Sequence, residues 1–213
     1  MAAHGRSTLR DLFDESPTPH IAHPPRTHHR DFYVATDGSF REHGGGLGVV
    51  VETRDGTRVA RVALEDTPPN NNVAEYRALH LGLDVLAARV PADASVGILL
   101  DHDDLAANVN ATVLTATHPD WTVSTDVAIP PGSANHWRGI QARLNGFEEV
   151  RAARIRSDRN PAHPLANAPA EYAHVNRETE RCVLPDRSDV APSDAGEDGY
   201  PPPSRADRHA STD

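Results

Sequence analysis

An α/β fold built on a mixed five-stranded sheet follows from three observations in this chain of 213 residues. Three β-type runs succeed one another between Phe32 and Leu64, with Asp55-Gly56 between the second and third. A helical period then fills residues 71–89, and a nearly all-apolar run, Ser95 to Leu100, comes after it. Strands linked by tight turns pair antiparallel, whereas an apolar strand preceded by a helix fits a parallel position buried on both faces. The first three strands should therefore be antiparallel and the later ones parallel.

The first run is Phe32-Tyr33-Val34-Ala35-Thr36, the second Leu47 to Thr53 and the third Thr57 to Leu64. Asp55-Gly56 marks a hairpin because a tight turn needs positive φ there. Gly44-Gly45-Gly46 reads as a flexible connection between the first two strands, and without a following Lys it is no phosphate loop. Val73, Tyr76, Leu79, Leu83 and Leu86 recur at three and four residues, which predicts a helix from Asn71 to Arg89 closed by Pro91. Asp101 ends the fourth strand; residues 102–110 read as a short helix, with Asp103 and Asp104 complementing its N-terminal dipole. A further helix is expected over Asn135–Phe147 and a fifth strand over Val150–Arg156.

The ends read differently. Residues 1–30 carry Pro17, Pro19, Pro24 and Pro25 among polar groups, which predicts a flexible Pro/His-rich leader. Its His20, His23, His28 and His29 have no Cys or scaffold beside them and read as incidental rather than as a metal tract. Residues 185–213, rich in Pro, Asp, Ser and Gly, predict a disordered tail. The folded unit should be 31–175.

Composition limits the function classes. No apolar run reaches the roughly 20 residues that span a bilayer, and Cys182, the only cysteine, rules out an intrachain disulfide or a cysteine-based zinc cluster. A soluble protein of the reducing cytoplasm is expected, with no membrane partner and a monomeric state. Acidic residues number 31 against 21 basic ones, and every basic residue is Arg. A halophilic surface accounts for this, since salt shortens the Debye length to about 3 Å at 1 M and lets an acidic protein approach an anionic ligand. Codon bias in a GC-rich genome is the plainer alternative for the missing Lys.

Three carboxylates stand out. Asp37 in Thr36-Asp37-Gly38-Ser39, Glu75 in Asn71-Asn72-Val73-Ala74-Glu75-Tyr76 and Asp101 in Leu99-Leu100-Asp101 belong to a first strand, a helix and a fourth strand. Acids brought together from separate elements repel, and hard cations relieve that repulsion. Each has a plainer reading: Asp37 as a turn residue, Glu75 as a solvated helix position, Asp101 as a helix cap.

The order of elements, the Asp-Gly-Ser run, the Gly-rich turn, Asn71-Asn72-x-Ala74-Glu75-Tyr76-x-Ala78-Leu79 and Asp101 together resemble the type 1 ribonuclease H family, in its archaeal and bacterial short forms. The resemblance covers roughly Arg30 to Val175. It implies a ribonuclease H-like fold with helices on both faces of the sheet. It also implies an endonuclease that hydrolyses the RNA strand of RNA/DNA hybrids with two ions, Mg²⁺ or Mn²⁺. Asp37 would bridge the ions, and Glu75 and Asp101 would hold one or both. Gly38, Ser39, Asn71 and Asn72 would meet the nucleic acid, with N-capping as the alternative for the two asparagines.

The chain departs from the family at its fourth acid. Where the pattern Asn-x-x-Ala-Asp-x-Leu-Ala is expected, it reads Asn160-Pro161-Ala162-His163-Pro164-Leu165-Ala166-Asn167. His163 brings no negative charge and suits Mn²⁺ better than Mg²⁺; it counts among the candidate catalytic residues, and a weakly active or noncatalytic binding module is the alternative outcome. Pro164 and Pro169 predict a short or distorted terminal helix. Asp158 is close by at the wrong spacing, and His102 follows Asp101 as an outer-shell group or an exposed residue. Trp121 and Trp137 read as packing aromatics, and Arg138 and Arg143 give thin evidence of a basic handle.

Overall fold

The structure, a computed structural model, describes residues 7–22, 27–42, 44–118, 120 and 127–179. The predicted tail 185–213, Cys182, Trp121 and His23 lie outside these residues. Five strands, β1 (Phe32–Arg41), β2 (Gly44–Thr53), β3 (Arg58–Asp66), β4 (Ser95–Leu100) and β5 (Glu149–Arg154), form one sheet in the order β3-β2-β1-β4-β5. β1, β2 and β3 pair antiparallel, while β4 runs parallel to β1 and to β5. Gly56 closes the β2–β3 hairpin at φ 85°, as the Asp-Gly pair requires.

Helices cover both faces. On one lie α2 (Asn71–Ala87), α3 (Asp103–Thr117) and α4 (Ala134–Leu144), sharing a core with Val34, Val49, Ile98 and Leu100. Leu79, Leu83 and Leu86 of α2 are fully buried there, each contributing about 1.5–3 kcal/mol. Trp137 of α4 packs edge-on to Tyr76, 5.9 Å between ring centroids. The other face holds α1 (Leu9–Asp14), α5 (His163–Asn167) and α6 (Val175–Thr179) over Tyr33, Ala35, Val50 and Leu99. Val34 and its neighbours Tyr33 and Ala35 thus enter opposite cores, the alternation a strand imposes. No helix among the described residues is long and apolar enough to cross a membrane.

The structure corrects four expectations. β1 does not stop at Thr36 but runs to Arg41, so Asp37 sits within a strand, paired with Gly48. Gly44-Gly45-Gly46 is the first part of β2 and not a flexible link. A Cβ at Gly46 or Gly48 would overlap the backbone oxygen of Ala166 or Ala162, so these glycines let α5 lie directly on β2. α3 extends to Thr117, beyond the expected 110, because Val113 continues the apolar stripe of Leu105, Ala106 and Val109 onto the core. Finally, the leader is partly built into the fold. Thr8 and Asp11 form a reciprocal capping box, Leu9 and Phe13 are buried, and the N–H of Leu9 donates to Glu52 Oε2 at 2.8 Å. Beyond α1, Pro17 O accepts from Arg154 N at 2.8 Å, which covers the outer edge of β5.

Candidate metal centre

The parallel pairing of β1 and β4 brings their carboxyl-side ends together, with Asp101 the first residue past β4. Asp37 projects from β1 with a side chain only 3% exposed. Glu75 comes from α2, whose backbone lies so close over β1 that a Cβ at Gly38 would overlap the carbonyl of Ala74. The Gly38 N–H donates to Glu75 Oε2 at 3.2 Å and fixes that carboxylate.

His163 opens α5, which is five residues long with Pro164 in its first turn, as the two prolines led one to expect. Asn160 places it: Asn160 Nδ2 donates to Thr36 O at 2.9 Å, and its Oδ1 accepts from Ala162 N at 3.0 Å. The imidazole Nδ1 then stands 3.4 Å from the Asp37 carboxylate. One ligand atom each from Asp37, Asp101 and His163 lie within 4.8 Å of one another.

The other candidates separate. Ser39 is buried; its Oγ donates to Ala166 O at 2.6 Å and accepts from Gly46 N at 2.9 Å. Gly38 lies under α2. Both therefore hold the framework together and offer little surface to a ligand. Asn71 and Asn72 are exposed in the first turn of α2, and capping falls to Asn70, whose side chain accepts from Val73 N at 2.9 Å. Asp158 pairs with Arg156 in an exposed turn, outside the cluster. Arg143 is held by Asp84 at 2.6 Å and exposed Arg138 bonds Asn135. Sequence reasoning passed over Asn160 and Asn167 as contributors; the Asn167 amide nitrogen lies 3.0–3.1 Å from both His163 ring nitrogens, and its Oδ1 accepts from Arg41 at 3.3 Å. Their spacing from His163, three before and four after, was the available signal.

No protein-family model and no curated protein matches the chain. Among solved structures, the foamy viral protease-reverse transcriptase in complex with RNA/DNA hybrid superposes at a TM-score of 0.51 and 15% identity, over 75% of this chain and 23% of that one. The N-terminal ribonuclease H domain of a Mycobacterium tuberculosis protein, solved as a fusion with maltose-binding protein, gives a TM-score of 0.49 and 24% identity over 63% of this chain and 95% of that one. Ribonuclease H1 of the halophilic archaeon Halobacterium salinarum gives 0.48 and 22% over 66% and 98%. The strand order β3-β2-β1-β4-β5 and its antiparallel-then-parallel pairing, together with the superposition on the foamy viral enzyme, decide the architecture.

The chain has a ribonuclease H-like fold.

Within this ribonuclease H-like domain the carboxylates are electrostatically strained. Burial, then the neighbouring charge of Asp101, then a hydrogen bond to Asp101 push Asp37 up to about 8. Burial first, then Asp101 and Asp37, raise Glu75 well above the usual carboxylate range, against the Gly38 N–H that favours its charged form. Asp101 Oδ1 is buried with no hydrogen-bond partner among the described residues. Clustered oxygen donors, one of them unpartnered, beside an imidazole nitrogen are groups that a divalent cation takes, so the residues present fit such an ion.

Proposed function

We propose that this protein is a metal-dependent endoribonuclease that hydrolyses the RNA strand of RNA/DNA hybrids. The observation that carries the reading is the convergence of Asp37, Asp101 and His163 within 4.8 Å, beside Glu75, from four separate elements of a ribonuclease H-like fold. Asp37, Glu75, Asp101 and His163 would hold the ions, with Asp37 shared between two of them. Divalent ions, when bound at such a site, activate water and stabilise the leaving oxygen of a phosphodiester.

The protein's own part is positioning. Asp37 is fixed by the pairing of β1 with both β2 and β4, and Glu75 by Gly38. His163 is 45% exposed, so the cluster opens to solvent on its side, where a strand could approach. Asn71 and Asn72 are exposed in the first turn of α2, ahead of Glu75, and their amides would suit sugar and phosphate groups across the wide minor groove of a hybrid. The foamy viral enzyme with a comparable fold was captured with RNA/DNA hybrid, which supports the same substrate class here.

The test is cleavage of an end-labelled RNA/DNA hybrid, beside matched single-stranded RNA and duplex DNA, in Mg²⁺ and in Mn²⁺ at low and at molar KCl. Hybrid-only cleavage supports the reading, and activity that survives molar salt supports the halophilic one. His163 at the position of an acid favours one other outcome: a protein that binds the hybrid under all these conditions and cleaves it under none is a nucleic-acid-binding module.

A further inference from the structure

Beside the carboxylates, two hydrogen bonds around His102 fix the orientation of Asn72. The backbone N–H of Leu105 donates to His102 Nδ1 at 3.2 Å, in the capping position of α3. A backbone N–H can only donate, so Nδ1 is the acceptor of the ring and its hydrogen resides on Nε2. Nε2 lies 3.2 Å from Asn72 Oδ1, which accepts from it. The amide is thereby turned so that its NH₂ edge points away from His102, and no described residue accepts from that edge. Asn72 is exposed and stands one turn before Glu75, while His102 directly follows Asp101.

Capping alone does not call for histidine. Ser, Thr, Asp and Asn cap helices well with one short side chain, but Ser has no second group to offer across to α2. The imidazole joins two jobs: one nitrogen ends α3 and the other reaches Asn72.

We propose that His102 is a positioning residue for substrate, holding the Asn72 amide with its donor edge outward beside the carboxylate cluster. A freely turning asparagine presents C=O and NH₂ alike. A pinned one keeps its two donors turned outward, and these match the hydrogen-bond acceptors that base edges and sugars of a nucleic acid offer in the minor groove. The proposal rests on the hybrid-nuclease reading.

The test uses the full-length chain and three variants: His102→Ser, Asn72→Ala and the double substitution. Serine keeps the cap, so His102→Ser is expected to melt with the wild type. Its KM for the hybrid should rise about three- to tenfold, the worth of one hydrogen bond, with kcat little changed. Asn72→Ala should show the same rise, and the double variant no more than either single one, because the two residues act as a unit. In the substrate-free protein, ¹⁵N NMR should find the His102 hydrogen on Nε2. An unchanged KM in His102→Ser, additive losses in the double variant or a hydrogen on Nδ1 overturns the proposal. A wild type that neither binds nor cleaves hybrid overturns the nuclease reading and this proposal with it, whereas normal wild-type cleavage with an unchanged His102→Ser overturns this proposal alone.

Discussion

Asp37 and His163 are separated by 126 positions in the chain and by 3.4 Å in space. The contact exists because α5 lies flat on β2, and α5 lies flat because Gly46 and Gly48 leave room for its backbone. A buried carboxylate thus meets an imidazole at the position where the type 1 ribonuclease H pattern has its fourth acid.

Replacing His163 by Asp adds a hard oxygen donor and a negative charge to the cluster. The variant is expected to shift its selectivity from Mn²⁺ toward Mg²⁺, since imidazole nitrogen favours the transition ion and carboxylate the hard one. Titrating melting temperature against each ion measures this without requiring turnover, and an unchanged ratio would return His163 to a surface role.

Proton linkage gives a second expectation. Asp37 is raised from an ordinary 3.8 to about 8 in the fold, so the folded state holds a proton that the unfolded chain releases. The associated stability is fully present below about 3.8 and is lost as pH rises through about 8. Metal-free protein should therefore melt at a lower temperature at pH 8 than at pH 5, and added Mg²⁺ or Mn²⁺ should recover most of the loss at pH 8 by neutralising the carboxylates. Asp37→Asn should flatten the metal-free dependence. Calorimetry of the two proteins across this range checks it; a metal-free wild type that gains stability over the same interval would contradict it.

Asn160 acts through backbone. Its amide joins Thr36 O to Ala162 N, and Asn160→Ala leaves buried groups unpaired at a cost of about 1–3 kcal/mol. The substitution should also loosen the start of α5, so hybrid cleavage is expected to fall further than the loss of folded protein explains. Comparing specific activity with denaturant midpoint separates the two effects.

The amino-terminal segment belongs to the core. Phe13 is 1% exposed and meets Tyr33 edge-on at 5.5 Å. Phe13→Ala is expected to destabilise the domain by about 3–5 kcal/mol, as read by urea denaturation, whereas a detached leader would give no change.

What could be read from sequence and what could not divides on locality. Asp37, Glu75 and Asp101 were legible because each lies next to a local signal: an Asp-Gly-Ser run, a helical stripe and the end of an apolar strand. The Asp55-Gly56 turn and the apolar β4 were legible for the same reason. Gly44 to Gly46 misled, because a glycine run reads as a loop unless the helix that presses on it is known, and that helix lies more than a hundred residues downstream. The leader misled because its four prolines outweighed a single buried turn at Leu9, Leu12 and Phe13; the Thr8…Asp11 capping box was the overlooked clue. Ser39 looked like a ligand contact from its place beside Asp37, but its hydroxyl is consumed between Ala166 and Gly46. The cap of α2 fell one residue earlier than considered, on Asn70, which left Asn71 and Asn72 exposed at the helix start.

The central claim is that the Asp37 cluster performs metal-dependent hydrolysis of a hybrid strand. Single-turnover cleavage of an RNA/DNA hybrid by wild type and by Asp37→Asn, each with its melting temperature in Mn²⁺, tests it most directly. The account predicts hybrid cleavage by the wild type and its loss in a variant that stays folded. Cleavage at the wild-type rate by folded Asp37→Asn would contradict it.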